Sequence, residues 1–474
     1  MKIANEKITV LANNWDRFGG RALDILNGYA LSTKLDCSFA FYWPDDERFP
    51  EMQDQVNFFS QAFIDKYRIF SCPPTEKIYS INFNVFELSE AKRFISEFEE
   101  PQFFKISDFF MLPKFLDEDE NLARERYAEV AESVVSDSVL HLWKKLSASY
   151  MGNEAVHGRY GDLIDGSFNQ YVDTGKYIDT FSLKKLVTKL LKDKKRVTIL
   201  SDTPLIVEAL EKTLSTRLMP EETSTSESKN LTSFELQTIE LLILASSKNI
   251  YAPSSSAFSI LGSRLGNVPI KLIREETSEI LFFRPWARRR WRFYDEFDQS
   301  IRNKVRSRDI LSLLQHYWKF IGFDRIKSLI HEANEFDSEY VLSLCCEAII
   351  AKSERDSTRA FTLIEKAEFY ARSRLHIHHD PLFLSLLVKF CFAKEDEDKA
   401  SEEIREEILR LHPYQFSKQK ALKFIVEHID SEVNISSGKK TSTRAIWNEV
   451  VKNGEDEILF ALLKFSQTKN QLRK

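Results

Sequence analysis

The opening of the chain constrains its fold most tightly. Lys7 to Leu11 (KITVL) is short, β-branched and apolar, and the loop ANNWDRFGGR follows it. Apolar positions then recur at helical spacing from Ala22 to Lys34, and a second apolar run, Ser38 to Trp43 (SFAFYW), closes the unit. Strand, glycine-bearing loop, helix and strand in that order predict parallel pairing, because parallel strands need a crossover, usually helical. A parallel sheet has to be covered on both faces, which directs the chain to the α/β class.

The same alternation resumes later. A strand at Glu154 to His157 runs into the loop GRYGD, and a strand at Val197 to Ser201 (VTILS) precedes a helix at Pro204 to Leu214 with proline in its first turn. A helix at Ser233 to Ser246, a strand at Asn249 to Ala252 and a helix at Ser255 to Leu265 complete the series. The stretch from Asp45 to Leu116 is aromatic-rich, with a strand near Ile78 to Phe83 and a helix near Ser89 to Glu97, and Leu122 to Ser149 is helical. MPEETSTSESKN, residues 219–230, is a polar surface loop. Strand signals stop beyond Phe283. From Asp309 onward the sequence reads as amphipathic helices, with EYVLSLCCEAIIAKSE and DSTRAFTLIEKAEFYARS suggesting helical hairpins. Three domains are expected, at 1–150, 151–285 and 286–474.

At 474 residues the chain exceeds what one core serves, and 43% hydrophobic with 29% charged residues is an ordinary globular balance. The net charge of -5 provides no global positive field for nucleic acid. No run approaches the roughly 20 apolar residues of a membrane span, and the expected location is cytoplasmic or peripheral to the inner face of a membrane. FFRPWARRRWRFYDEF, residues 282–297, is read as a domain-junction helix or as an interfacial segment, with membrane or protein contact through the C-terminal helical region as the alternative. The five cysteines, Cys37, Cys72, Cys345, Cys346 and Cys391, form no C-x-x-C pair and read as reduced thiols. His376, His378 and His379 cluster without cysteine or carboxylate partners, so no metal is expected.

The chemistry concentrates in AVHGRYGDLIDGSFNQYVDTGKYI, residues 155–178, which sets His157, Arg159 and Asp162 in a glycine-bearing loop after a strand. Open α/β sheets bind ligands at such strand ends, and an arginine fork matches a diphosphate. The bland alternative is an Arg159–Asp162 turn with His157 packed beside it.

His-x-Arg-x-Gly-Asp resembles the His-x-Arg-Arg-Gly-Asp motif of the α-1,2, α-1,6 and protein O-fucosyltransferase superfamily, and YVDTGKYID resembles its continuation. Two further segments follow in the family's order: ILSDTPLIVEAL, residues 199–210, and KNIYAPSSSAFSILGSRLG, residues 248–266. RFGGRALDILNGYALSTKLDCSFAFYWP, residues 17–44, is similar to its opening loop, helix and strand, so the likeness spans roughly residues 7–270. Departures are Tyr160 in place of a second arginine, Thr203 and Pro204 where a second aspartate is common, and Gly20 and Arg21 in the first loop.

The resemblance implies a GT-B-like pair of Rossmann-type domains followed here by an all-α helical-hairpin domain. The implied activity is inverting, metal-independent transfer from a nucleotide sugar, GDP-fucose by analogy, to a glycan or glycoconjugate, with no further cofactor. Arg159 would neutralise the leaving diphosphate, where one such donor can supply about 3–4 kcal/mol. His157 and Asp202 would meet the base or ribose. Ser254, Ser255, Ser256 and Phe258 would form the third motif, its serines and helix amides holding phosphate, or else a plain serine N-cap. Gly19, Gly20 and Arg21 of the facing loop would complete the donor-binding set, with Arg21 assisting Arg159 in charge stabilisation. Asp16, Asp24 and Asp162 are candidates for the general base. The competing readings are a different nucleotide-sugar donor and a non-catalytic scaffold.

Overall fold

The computed structural model describes residues 5–14, 17–44, 53–74, 77–81, 102–106, 119–164, 177–223, 230–253, 256–277, 293–317 and 323–373, with 382, 385, 386, 388 and 389. Among these the architecture is α/β with parallel sheets, followed by helices. By packing it divides into two units. The first holds Met1–His157, Leu186–Leu200 and Arg217–Glu276, and the second Gly158–Lys185, Ser201–Thr216 and Thr277–Lys474.

The first sheet is built from β1 (Asn5–Ala12), β2 (Cys37–Tyr42), β3 (Arg68–Ile69), β4 (Ile78–Ile81) and β5 (Gln102–Ile106), in the order β3-β2-β1-β5-β4. All four pairings are parallel. The crossover from β1 to β2 is α1 (Phe18–Leu35), a turn longer at its start than the apolar spacing indicates, and it ends on Asp36 in the left-handed conformation. β3 and β5 are additions to the sequence reading: a two-residue strand and an aromatic five-residue strand give too little periodicity to read. The expected helix at Ser89 to Glu97 lies outside the described residues.

α2 (Gln61–Tyr67), α3 (Glu120–Val134) and α4 (Asp137–Tyr150) lead to the second sheet, of order β7-β6-β8-β9. It comprises β6 (Glu154–Gly158), β7 (Val197–Ser201), β8 (Asn249–Ala252) and β9 (Ile270–Leu272). Every residue of β6, β7 and β8 is buried, as strands covered on both faces must be. Between them run α5 (Gly161–Ile164), α6 (Thr180–Lys192), α7 (Pro204–Leu214), α8 (Ser233–Ser246) and α9 (Ala257–Gly266), with α10 (Ile273–Thr277) after β9. α7 begins on Pro204, whose missing N–H costs nothing there. α8 starts at a capping box in which Thr232 and Glu235 satisfy each other's backbone amides.

One apolar cluster runs through both sheets of the first unit, from Val10, Phe41 and Ile106 to Ala155, Leu200 and Ile250, with Leu241, Leu244 and Leu261 between them. A buried polar knot ties α1, α3 and α9 together: the Asn27 carbonyl accepts from Tyr127 Oη at 3.0 Å and from Arg264 Nη1 at 3.2 Å, with the Arg264 guanidinium over the Tyr127 ring.

The second unit contains α11 (Gln299–Tyr317), α12 (Phe323–Phe336), α13 (Val341–Ser353) and α14 (Ser357–Ser373), packed around an apolar core that includes Leu314, Ile330, Cys345, Cys346 and Ile364. Glu347, nearly buried on α13, joins three helices by accepting from His331, Asn334 and Arg359. No helix among the described residues is long and apolar enough to cross a membrane.

Asn27→Ala removes the acceptor shared by Tyr127 and Arg264, and should lower stability in urea unfolding by about 1–3 kcal/mol.

Candidate functional site

In the second sheet the chain goes from β6 outward to β7, then returns to the other side of β6 to form β8. Open α/β sheets leave a crevice at such a reversal, beyond the strands' carboxyl ends. His157, on β6, is brought there beside the start of α9, the helix that follows β8. Its Nδ1 lies 2.6 Å from Ser259 Oγ and 3.4 Å from Ser256 Oγ, and its ring is tilted against Phe258 at 5.5 Å. Ser256 is the N-cap of α9: its Oγ accepts from the Ser259 amide at 3.4 Å and from Ser259 Oγ at 3.2 Å.

Three residues expected at the site, His157, Ser256 and Phe258, are thus one cluster, although about a hundred positions separate the first from the others. Gly19 belongs to it too. A Cβ at Gly19 would stand 2.9 Å from the backbone N and Cα of Phe258, so only glycine lets α1 approach α9 this closely. Gly20 is buried in the first turn of α1, where its amide donates to the Arg17 carbonyl at 2.9 Å. Ser254 and Ser255 lie outside the described residues. Ser259 was not singled out from sequence, and its only signal was a serine three positions after an N-cap serine.

Arg21 is placed differently from expectation. It is 2% exposed, its Nη1 donates to the Pro44 carbonyl at 2.7 Å, and its guanidinium stacks on Trp43. This arginine fastens α1 to the end of β2 instead of lining an open loop. Of the general-base candidates, Asp16 and the Asp162 side chain are outside the described set. Asp24 is buried just past the carboxyl end of β1 and accepts from the Asn14 amide at 3.1 Å. Burial pushes its carboxyl up to about 6, against the opposing pull of Lys105 and of the Asn14 and Asn13 amides.

In the second unit, Asp202 organises the loop that carries Arg159. Its Oδ1 accepts from the Tyr160 amide at 2.7 Å and the Gly161 amide at 2.9 Å, capping α5. The expected partner of base or ribose is therefore also a loop anchor. Arg159 stands half-buried immediately before the clamped residues. Tyr160 is fully buried and meets the Tyr177 ring edge to face at 5.5 Å. Gly158 makes room for it: a Cβ there would lie 2.5 Å from the Tyr160 ring.

Beneath this loop lies a polar group that the sequence did not reveal. Asp309, wholly buried on α11, accepts from Tyr177 Oη at 2.7 Å, Tyr294 Oη at 2.7 Å, the Thr180 amide at 3.0 Å and the Thr180 hydroxyl. Burial, with Asp179 nearby, pushes its carboxyl up to about 7, while the hydroxyl donors pull down. Burial also drives the Tyr160 and Tyr177 phenols well above their ordinary range. Among the described residues no group of three or more His, Cys, Asp and Glu could hold a metal, and His376, His378 and His379 lie outside them.

No protein-family model and no curated protein matches the chain. Among solved structures it is similar to the POFUT1 apo-form, with a TM-score of 0.35 and 12% identity over 57% of this chain and 99% of that one. Against POFUT1 in complex with GDP-fucose the TM-score is 0.36, with 13% identity over 58% and 99%. For POFUT1 in complex with GDP it is 0.32, with 13% identity over 56% and 98%. Likenesses this distant assign neither site nor chemistry.

Two outcomes are expected. Gly19→Ala forces α1 and α9 apart and should cost about 1–3 kcal/mol in chemical unfolding. A carboxyl raised from its ordinary 3.8 to about 7 contributes stability that is full below about pH 4 and lost as pH rises through 7. Asp309→Asn, facing the same Asp179, Tyr160, Tyr177 and Tyr294, should therefore flatten the fall in stability between about pH 4 and pH 7 by up to about 1.4 kcal/mol per pH unit.

Proposed function

We propose that the chain is an inverting, metal-independent glycosyltransferase of fucosyltransferase-like type, transferring a sugar from a nucleotide donor, GDP-fucose by preference, to a glycan or glycoconjugate. The observation that carries this reading is the cluster at the sheet reversal. His157, from the first motif, is joined to Ser256 and Phe258, from the third, where an open α/β sheet receives ligands. Random resemblance of separate segments gives no reason for those residues to meet.

In this reading the amino end of α9 offers unpaired amides to phosphate oxygens, and the Ser256 cap and His157 shape that end. Arg159 supplies the positive charge that grows in value as the diphosphate leaves. Asp202 keeps the Arg159 loop in place through the Tyr160 and Gly161 amides, beside the ribose or base. Residues 1–150, 151–285 and 286–474 act as the acceptor side, the donor side and a helical module. Tyr160 favours one second reading, a nucleotide-sugar donor other than GDP-fucose: buried against Tyr177, it contributes no charge where the family has another arginine.

The test is a thermal-shift panel of GDP, UDP, ADP and CMP on the wild type and Arg159→Ala. GDP at a hundredfold excess over its Kd should stabilise the wild type by about 2.7 kcal/mol and the variant far less. Selective stabilisation by another nucleotide reassigns the donor, and stabilisation by none of the four overturns the transferase reading in favour of a scaffold.

A further inference from the structure

Two consecutive residues of the C-terminal helices hold the Arg159 loop in place. α5 is a single turn of four residues, too short to persist on its own intrahelical bonding. Its amide end is clamped by Asp202. Its carbonyl end is clamped by Arg308 of α11, whose Nε donates to the Leu163 carbonyl at 3.2 Å and whose Nη2 donates to the Ile164 carbonyl at 2.8 Å. A guanidinium fork fits two successive carbonyls, and a cation suits the carbonyl end of a helix.

Arg308 is itself fixed. It is 4% exposed, paired with Asp337 at 2.9 Å and stacked on the Tyr340 ring with its guanidinium carbon 3.2 Å from the centroid. The next residue, Asp309, takes the bonds from Tyr177 and Thr180, where the described chain resumes after α5. One turn of α11 therefore grips the polypeptide on both sides of the segment that follows the motif. A helical module that merely recruited a partner would not need to spend a buried arginine and a buried aspartate on another element's backbone.

We propose that Arg308 and Asp309 are positioning residues for the Arg159 loop, so that the C-terminal helices are a working part of the nucleotide site and not an appendage to it. The proposal rests on the donor reading given above for Arg159, and adds that this arginine is aimed from α11.

The experiment uses the full chain as wild type, Arg308→Lys and the double variant Arg308→Met/Asp337→Leu, which leaves no buried carboxylate orphaned. Amide hydrogen exchange and calorimetric titration with GDP are both measured. The double variant should exchange at Tyr160, Gly161 and Ile164 about tenfold faster or more, with the amides of β1 and β8 unchanged. Its GDP affinity should fall about tenfold, with Arg308→Lys intermediate because an ammonium cannot serve two carbonyls as a planar fork. Unchanged exchange in α5, or unchanged affinity in a protein that binds GDP, overturns the proposal. A wild type that binds no GDP overturns the donor reading instead, and the exchange result alone then decides whether α11 anchors the loop.

Discussion

Parallel strands buried on both faces can meet a polar ligand only beyond their ends. In the second sheet β6, β7 and β8 have no solvent-facing side, so the polar residues that follow them collect at the carboxyl edge. His157 and Ser256, which meet, both come from that edge. Their meeting follows from the topology: the strand order places β6 and β8 side by side, and the helix after β8 begins there, capped by Ser256.

The same constraint explains what could be read from the sequence. Fully buried strands are continuous apolar runs, and VTILS and NIYA stand out for that reason, as does the proline that opens α7. β3 and β5 did not stand out, since two residues, or five aromatic-rich ones, have no period to measure. Among the candidate residues, His157, Ser256 and Phe258 sit in local patterns beside strands, and the structure brings them together. Ser259 lies in the first turn of α9, and nothing in its local sequence shows that it bonds the imidazole.

Arg308 and Asp309 were beyond reach in a deeper sense. An Arg-Asp pair within a helix normally reads as a solvated face, and nothing local shows that these two side chains point into a packed interior and bond a chain segment some 130 to 145 positions earlier. Arg21 misled in the opposite direction: an arginine after paired glycines suggests an open loop, but the helix starts four residues sooner than its apolar spacing shows and takes that side chain inward.

Gly19 against the backbone of Phe258 has a further consequence. Because the two sheets share one apolar cluster and touch where there is no room for a side chain, neither can drift in sequence alone. A substitution that enlarges α1 at this point has to be answered by a shift of α9, and α9 also caps the histidine cluster. The two halves of the α/β region are thereby coupled in volume, so that a change of size on one side of this seam is transmitted to the histidine cluster on the other.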